Sequence, residues 1–201
     1  MENRTHEVTE EGEQVPLFER QAKPMPRIYV ASLSDYNAGN LHGEWIDASS
    51  DVEAMEEGVQ SMLASSHSPG AEEWAIHDYE GFGPLCLSEY ESLSTVAALA
   101  EGIAEHGAAF AHWAALVGTS DPDALERFED AYLGEAESIE SYAEELLDDL
   151  GVLRQLDDLL PEHLQPYVSF DVAGFAREME LSGDVVTSEA PEGVYVFSGV
   201  M

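Results

Sequence analysis

The sequence predicts an α+β fold built as three consecutive units, and three observations carry that reading. Short runs rich in β-branched and aromatic residues cluster early, at Arg27–Leu33, Glu44–Asp47 and Glu73–Tyr79. An alanine-rich middle follows, with Val96, Leu99, Ile103, Phe110, Trp113 and Val117 spaced for helices. Beyond it a strongly amphipathic segment, Ser138–Leu150, precedes a hairpin pattern near the C-terminus. The result is a β-rich first unit with one helix, a small helical unit and a mixed α+β unit.

Met1–Pro26 is polar and acidic with prolines, the composition of a flexible extension. Arg27–Leu33 (RIYVASL) then reads as a strand, Ser34–Gly43 as a loop carrying Asn37, Gly39 and Asn40, and Glu44–Asp47 as a second strand. Ser50-Asp51-Val52-Glu53 has the spacing of a capping box and opens a helix to about Ala64. Val52, Met55, Val59, Met62 and Leu63 share one face of that helix, leaving Asp51, Glu53, Glu56 and Glu57 largely wet. Pro69-Gly70 breaks the chain before the strand at Glu73–Tyr79.

In the middle unit Ser94 is expected to cap a helix that stops near Gly107, and a second helix ends at Gly118. Asp121-Pro122 places an N-cap before a proline at the first helical position, with Leu125, Phe128 and Tyr132 continuing a third helix. Ile139, Tyr142, Leu146, Leu147 and Leu150 line one side of the next helix, which ends at Gly151. Asp171 caps a short helix through Met179, and Asp184–Thr187 and Val194–Ser198 form a hairpin across Pro-Glu-Gly.

The charge is the feature that bears on function. The chain has 201 residues with 7 Lys+Arg against 42 Asp+Glu, a formal net charge of −35. The 99 residues between Arg27 and Arg127 hold no lysine or arginine and 18 acids. Three Trp, eight Tyr and seven Phe exclude a disordered acidic tail, which pairs high charge with few aromatics. Seven bases cannot form a stripe that neutralises phosphates, so direct binding to nucleic acid or to an anionic membrane is disfavoured. The natural complement is a basic groove on another protein. No run approaches the ~18–20 apolar residues of a membrane span, and residues 1–26 lack an apolar signal core, so the expected location is cytoplasmic. The single cysteine, Cys86, excludes an intramolecular disulfide and reads as a small buried thiol.

No arrangement of catalytic residues emerges, so the protein is read as not an enzyme. There is no glycine-rich phosphate loop and no nucleophile elbow. The seven histidines are scattered; His77-Asp78 and Glu105-His106 are neighbours in sequence, which point different ways on a regular helix or strand and so are disfavoured as metal ligands. No metal site and no cofactor are expected, only nonspecific cation binding by crowded carboxylates. Trp45, Trp74 and Trp113 read as core residues.

Three accounts of the charge compete: an ordinary solvated surface, adaptation to high salt in a protein with some other interaction role, and imitation of nucleic acid. Duplex DNA carries one phosphate charge per ~1.7 Å of axis, so a net charge of this size matches roughly 17 base pairs. Charge alone does not separate a decoy from a salt-adapted protein.

Motifs do. RIYVASLSDYNAGNLHGEWIDA (Arg27–Ala48), EEWAIHDYEGFG (Glu72–Gly83) and LSEYESL (Leu87–Leu93) closely resemble the ArdA antirestriction family. YLGEAESIESYAEELLDDLG (Tyr132–Gly151), LPEHLQPYVSFDVAGFAREMELSGDVV (Leu160–Val186) and VYVF (Val194–Phe197) extend the resemblance in collinear order. It implies an elongated three-domain α+β protein, encoded on mobile elements, that dimerises and acts as a DNA mimic against type I restriction–modification enzymes. The partner it implies is the methyltransferase core, made of specificity and modification subunits. Mapped onto this chain, the domains are residues 27–91, 92–126 and 127–201, with residues 1–26 outside the family pattern.

The resemblance also implies that many carboxylates act as surrogate phosphates. In the first two units the candidates are Asp35, Glu44, Asp47, Glu53, Glu56, Glu57, Glu72, Glu73, Asp78, Glu80, Glu89, Glu91, Glu101, Glu105, Asp121, Asp123 and Glu126. In the third they are Glu129, Asp130, Glu135, Glu137, Glu140, Glu144, Glu145, Asp148 and Asp149. A dimer contact is expected around Phe128, Tyr132, Ile139 and Tyr142.

Overall fold

Alternation along Arg27–Ser32 (β1) buries Ile28 and Val30 completely, and Ala31 joins them, so this strand lies in the middle of a sheet. Gly43–Asp47 (β2) and Trp74–Glu80 (β3) pair with it on either side, both antiparallel, in the order β2-β1-β3. A computed structural model describes residues 25–199 of the chain. The expected extension therefore lies outside the described residues as far as Pro24. The fold is mixed α+β, with two small three-stranded sheets.

One loop and two caps differ from the expectation, each for a local reason. The segment after β1 is not wholly a loop: Leu33–Asn37 forms a short helix (α1), because Ser32 Oγ accepts from the Asp35 N–H and caps it. Asp51, not Ser50, caps Val52–Ala64 (α2), its carboxylate accepting from Ala54 N at 3.0 Å. Ser92, not Ser94, caps Leu93–His106 (α3), accepting from Thr95 N at 3.0 Å and carrying Leu93 into the core.

Gly107, at φ 72° and ψ −151°, ends α3 and starts Ala108–Val117 (α4). That positive φ suits a residue without a Cβ and turns the chain so that α3 and α4 pack together. Gly102 lets them approach: a Cβ there would lie 2.3 Å from the Phe110 ring.

The helix expected after Asp121 is shorter than its apolar spacing suggests. Pro122–Glu126 (α5), capped by Asp121, ends at Arg127, and a single turn, Phe128–Ala131 (α6), follows. Tyr132 is extended and opens a strand, Tyr132–Ala136 (β4), where the sequence reading continued a helix. Pairing wins over local periodicity here, because Tyr132 sits opposite Phe197.

Ile139–Asp149 (α7) is capped by Ser138 as expected, and Val152–Leu159 (α8) is an additional helix after Gly151. Val172–Ser182 (α9) is capped by Asp171 and runs past Met179. Val185–Ala190 (β5) and Gly193–Ser198 (β6) form the expected hairpin, and β6 is central in the second sheet, order β4-β6-β5.

Alternation on β6 divides the interior. Tyr195 and Phe197 enter a large core with Ile28, Met55, Leu99, Trp113 and Phe128, so one apolar cluster spans residues from both sheets and the helices between. Val196 faces the other way, into a smaller core with Ala143, Ala176, Met179 and Val185 beneath α7 and α9.

Candidate functional site: an acidic surface

Of the acids that the sequence singles out, all but two are exposed. Most of them stand on helices and strands held by the two cores, where burial of the apolar face decides which way each carboxylate points; Glu72, Glu73, Glu89, Asp121 and Glu137 lie between such elements. On α2, Met55, Val59, Met62 and Leu63 are buried while Glu53, Glu56 and Glu57 are exposed. On α7, Ala143 and Leu147 are buried while Glu140, Glu144, Glu145, Asp148 and Asp149 are exposed.

On β3 a bulge does the work. Ile76 pairs with Val30 but Asp78 pairs with Tyr29, so His77 is an extra residue and the alternation reverses beyond it. Without the bulge, Asp78 and Glu80 would share the inward face of Ile76. With it they are exposed, and Tyr79 turns inward against Phe82, ring centroids 6.1 Å apart.

Asp35 corrects the expectation. Its residue surface is 0% exposed, so it cannot face a partner. Ser66 Oγ donates to one carboxylate oxygen and Ser68 Oγ to the other at 2.9 Å. The Ser66 hydroxyl is the chief cause that holds this carboxyl at about 2, below its ordinary 3.8; burial opposes it, and Ser32, Ser68 and the His42 charge assist. Asp35 is thus a fold-holding charge that ties α1 to the segment after α2. Glu91 is half-buried.

Little positive charge offsets the rest. Arg27 donates from Nε and Nη2 to Glu80 at 2.9 and 2.7 Å, and its guanidinium lies 4.5 Å from the centre of the Trp45 ring. Arg154 approaches Asp148 at 3.8 Å on an exposed surface. Arg27 is placed by the sheet, between Asp47 on β2 and Glu80 on β3.

The residues expected at a dimer contact are engaged within the chain. Phe128 is 4% exposed and packs on Tyr132, Phe110 and Phe197 at 5.2, 5.5 and 6.4 Å. Ile139 and Tyr142 are half-buried against the smaller core. Burial raises the Tyr132, Tyr142 and Tyr195 hydroxyls, reinforced by Glu135 beside Tyr132 and Tyr195 and by Glu145 beside Tyr142. Large exposed apolar side chains lie elsewhere, including Leu159 on α8, Tyr167 in the 3₁₀ turn Gln165–Tyr167, and Leu181 on α9. Of the tryptophans only Trp113 is fully buried, its Nε1 donating to Ala124 O at 3.0 Å; Trp45 and Trp74 are half-covered. Cys86, expected to be buried, is exposed.

One grouping was not legible in the sequence. Glu105, His106 and Glu129 bring one donor atom each to within 4.8 Å of one another, at a cavity of about 360 Å³. Among the described residues no helix is long and apolar enough to cross a membrane.

Residues 28–194 match a family model described as Antirestriction protein (ArdA). No curated protein matches the chain.

Proposed function

The chain belongs to the ArdA antirestriction family, and on that premise we propose that it inhibits type I restriction–modification enzymes as a DNA mimic. Its acidic surface occupies the DNA-binding groove formed by the specificity and modification subunits and keeps DNA out. The protein acts by occlusion, needs no cofactor for it, and works as a homodimer.

What supports this reading above all is the density of exposed, largely unneutralised carboxylates on rigid elements. Helix α7 has 11 residues and carries five exposed acids. At ~1.5 Å rise per residue it is about 16 Å long, or roughly 3.3 Å of axis per charge. One strand of B-form DNA carries a phosphate per ~3.4 Å. A single helix face thus offers a basic groove about the charge that one DNA strand would.

The test is competition among the purified protein, a type I methyltransferase and a labelled duplex containing its recognition sequence. A molar equivalent of dimer is expected to displace the duplex at moderate salt, and failure to do so overturns the proposal. Circular dichroism in dilute buffer separates the salt-adapted alternative, which requires unfolding at low salt and folding only near molar salt.

A further inference from the structure

We propose that Glu105, His106 and Glu129 bind one divalent transition-metal ion of the zinc class, linking the end of α3 to α6. Glu105 and His106 are the last two residues of α3 and leave its backbone in different directions, but their side chains bend toward each other at their tips. The His106 ring lies along Phe110, 6.0 Å away and 27° from parallel, and against Phe128, 4.7 Å away. That packing presents Nε2 to Glu105 Oε2 at 3.8 Å. Glu129 arrives from the other helix, and all three donors fall within 4.8 Å.

Zinc binds nitrogen and carboxylate oxygen at ~2.0–2.2 Å, which sets tetrahedral donors roughly 3.3 Å apart. The Glu105–His106 pair must close by about half an ångström and the widest pair by up to about 1.5 Å, which side-chain rotation can supply because both glutamates are exposed. The imidazole is the discriminating donor: it favours zinc-like ions, whereas carboxylates alone favour magnesium or calcium. The cavity is lined also by Glu101 and Glu126, with no lysine or arginine among the described residues of its walls, leaving room for water as a fourth ligand. Such an ion would fasten the helical layer to the turn that leads into β4, and would neutralise charge where four glutamates crowd together.

The experiment titrates the full chain with Zn²⁺ over millimolar Mg²⁺, which occupies nonspecific carboxylates, while imidazole nitrogens are followed by NMR. One equivalent is expected to shift His106 alone among the histidines. Glu105→Gln with Glu129→Gln should weaken binding at least tenfold, and Glu129→Gln alone several-fold. Glu144→Gln with Glu145→Gln, on α7, should leave it unchanged. Both liganding glutamates are exposed, so the variants should keep the native circular dichroism spectrum. A silent His106, a uniform response of all histidines, or equal affinity in the double variant would overturn the site.

Discussion

Phe128→Ala tests whether the two sheets are held in one body by a shared core. Phe128 is 4% exposed and touches Phe110 of the helical layer, Phe197 of the second sheet and Tyr132, which begins it. Truncating a buried phenylalanine costs about 3–5 kcal/mol through lost transfer energy and the cavity left behind. For a chain of this size each kcal/mol lowers the melting midpoint by about 2–4 °C, so a fall on the order of 10 °C is expected. Thermal melts followed by circular dichroism at several protein concentrations measure it, with the exposed Tyr167→Ala as comparison. A core residue lowers the midpoint equally at every concentration. A loss that vanishes as concentration rises would instead make Phe128 a subunit contact, and a fall of under about 2 °C would refute its place in the core.

Other expectations follow from the same geometry. Asp35→Asn should lower the melting midpoint at neutral pH. The wild-type carboxyl titrates lower in the fold than in the unfolded chain, so its contribution is complete above the ordinary 3.8 and is lost as pH falls through about 2; a stability–pH profile of the variant should lack that component. Converting all five acids of α7 to amides should weaken competition with duplex at least tenfold, whereas any single change should cost no more than about fivefold, the worth of one exposed charge pair; an all-or-none effect of one residue would contradict distributed mimicry. Gly102→Ala would force a methyl to 2.3 Å from the Phe110 ring and should destabilise by about 1–3 kcal/mol in denaturant titration, with an unchanged midpoint ruling out that close approach.

Much of the architecture is legible because its causes are local. Apolar spacing on Val52–Leu63 and Ile139–Leu147 places the helices and decides which acids are wet, and Asp121, Ser138 and Asp171 cap where their side chains suggest. Charge composition alone disfavours nucleic-acid binding, and the motifs carry the family. Tertiary structure decides wherever a distant partner competes with a local preference. Tyr132 has helical spacing from Phe128, yet it becomes a strand because Phe197, far along the chain, supplies the pairing. Asp78 and Glu80 become surface charges only through a bulge against β1. Asp35 looks like every other acid until Ser66 and Ser68, some thirty residues on, close over it. Glu105 and His106 meet at their tips, 3.8 Å apart, with the imidazole packed against two phenylalanine rings, both contributed by helices further along the chain. Sequence determines how much negative charge the protein carries and which elements bear it. Where each carboxylate points depends on strand register and core packing, which arise from contacts between residues far apart in the chain.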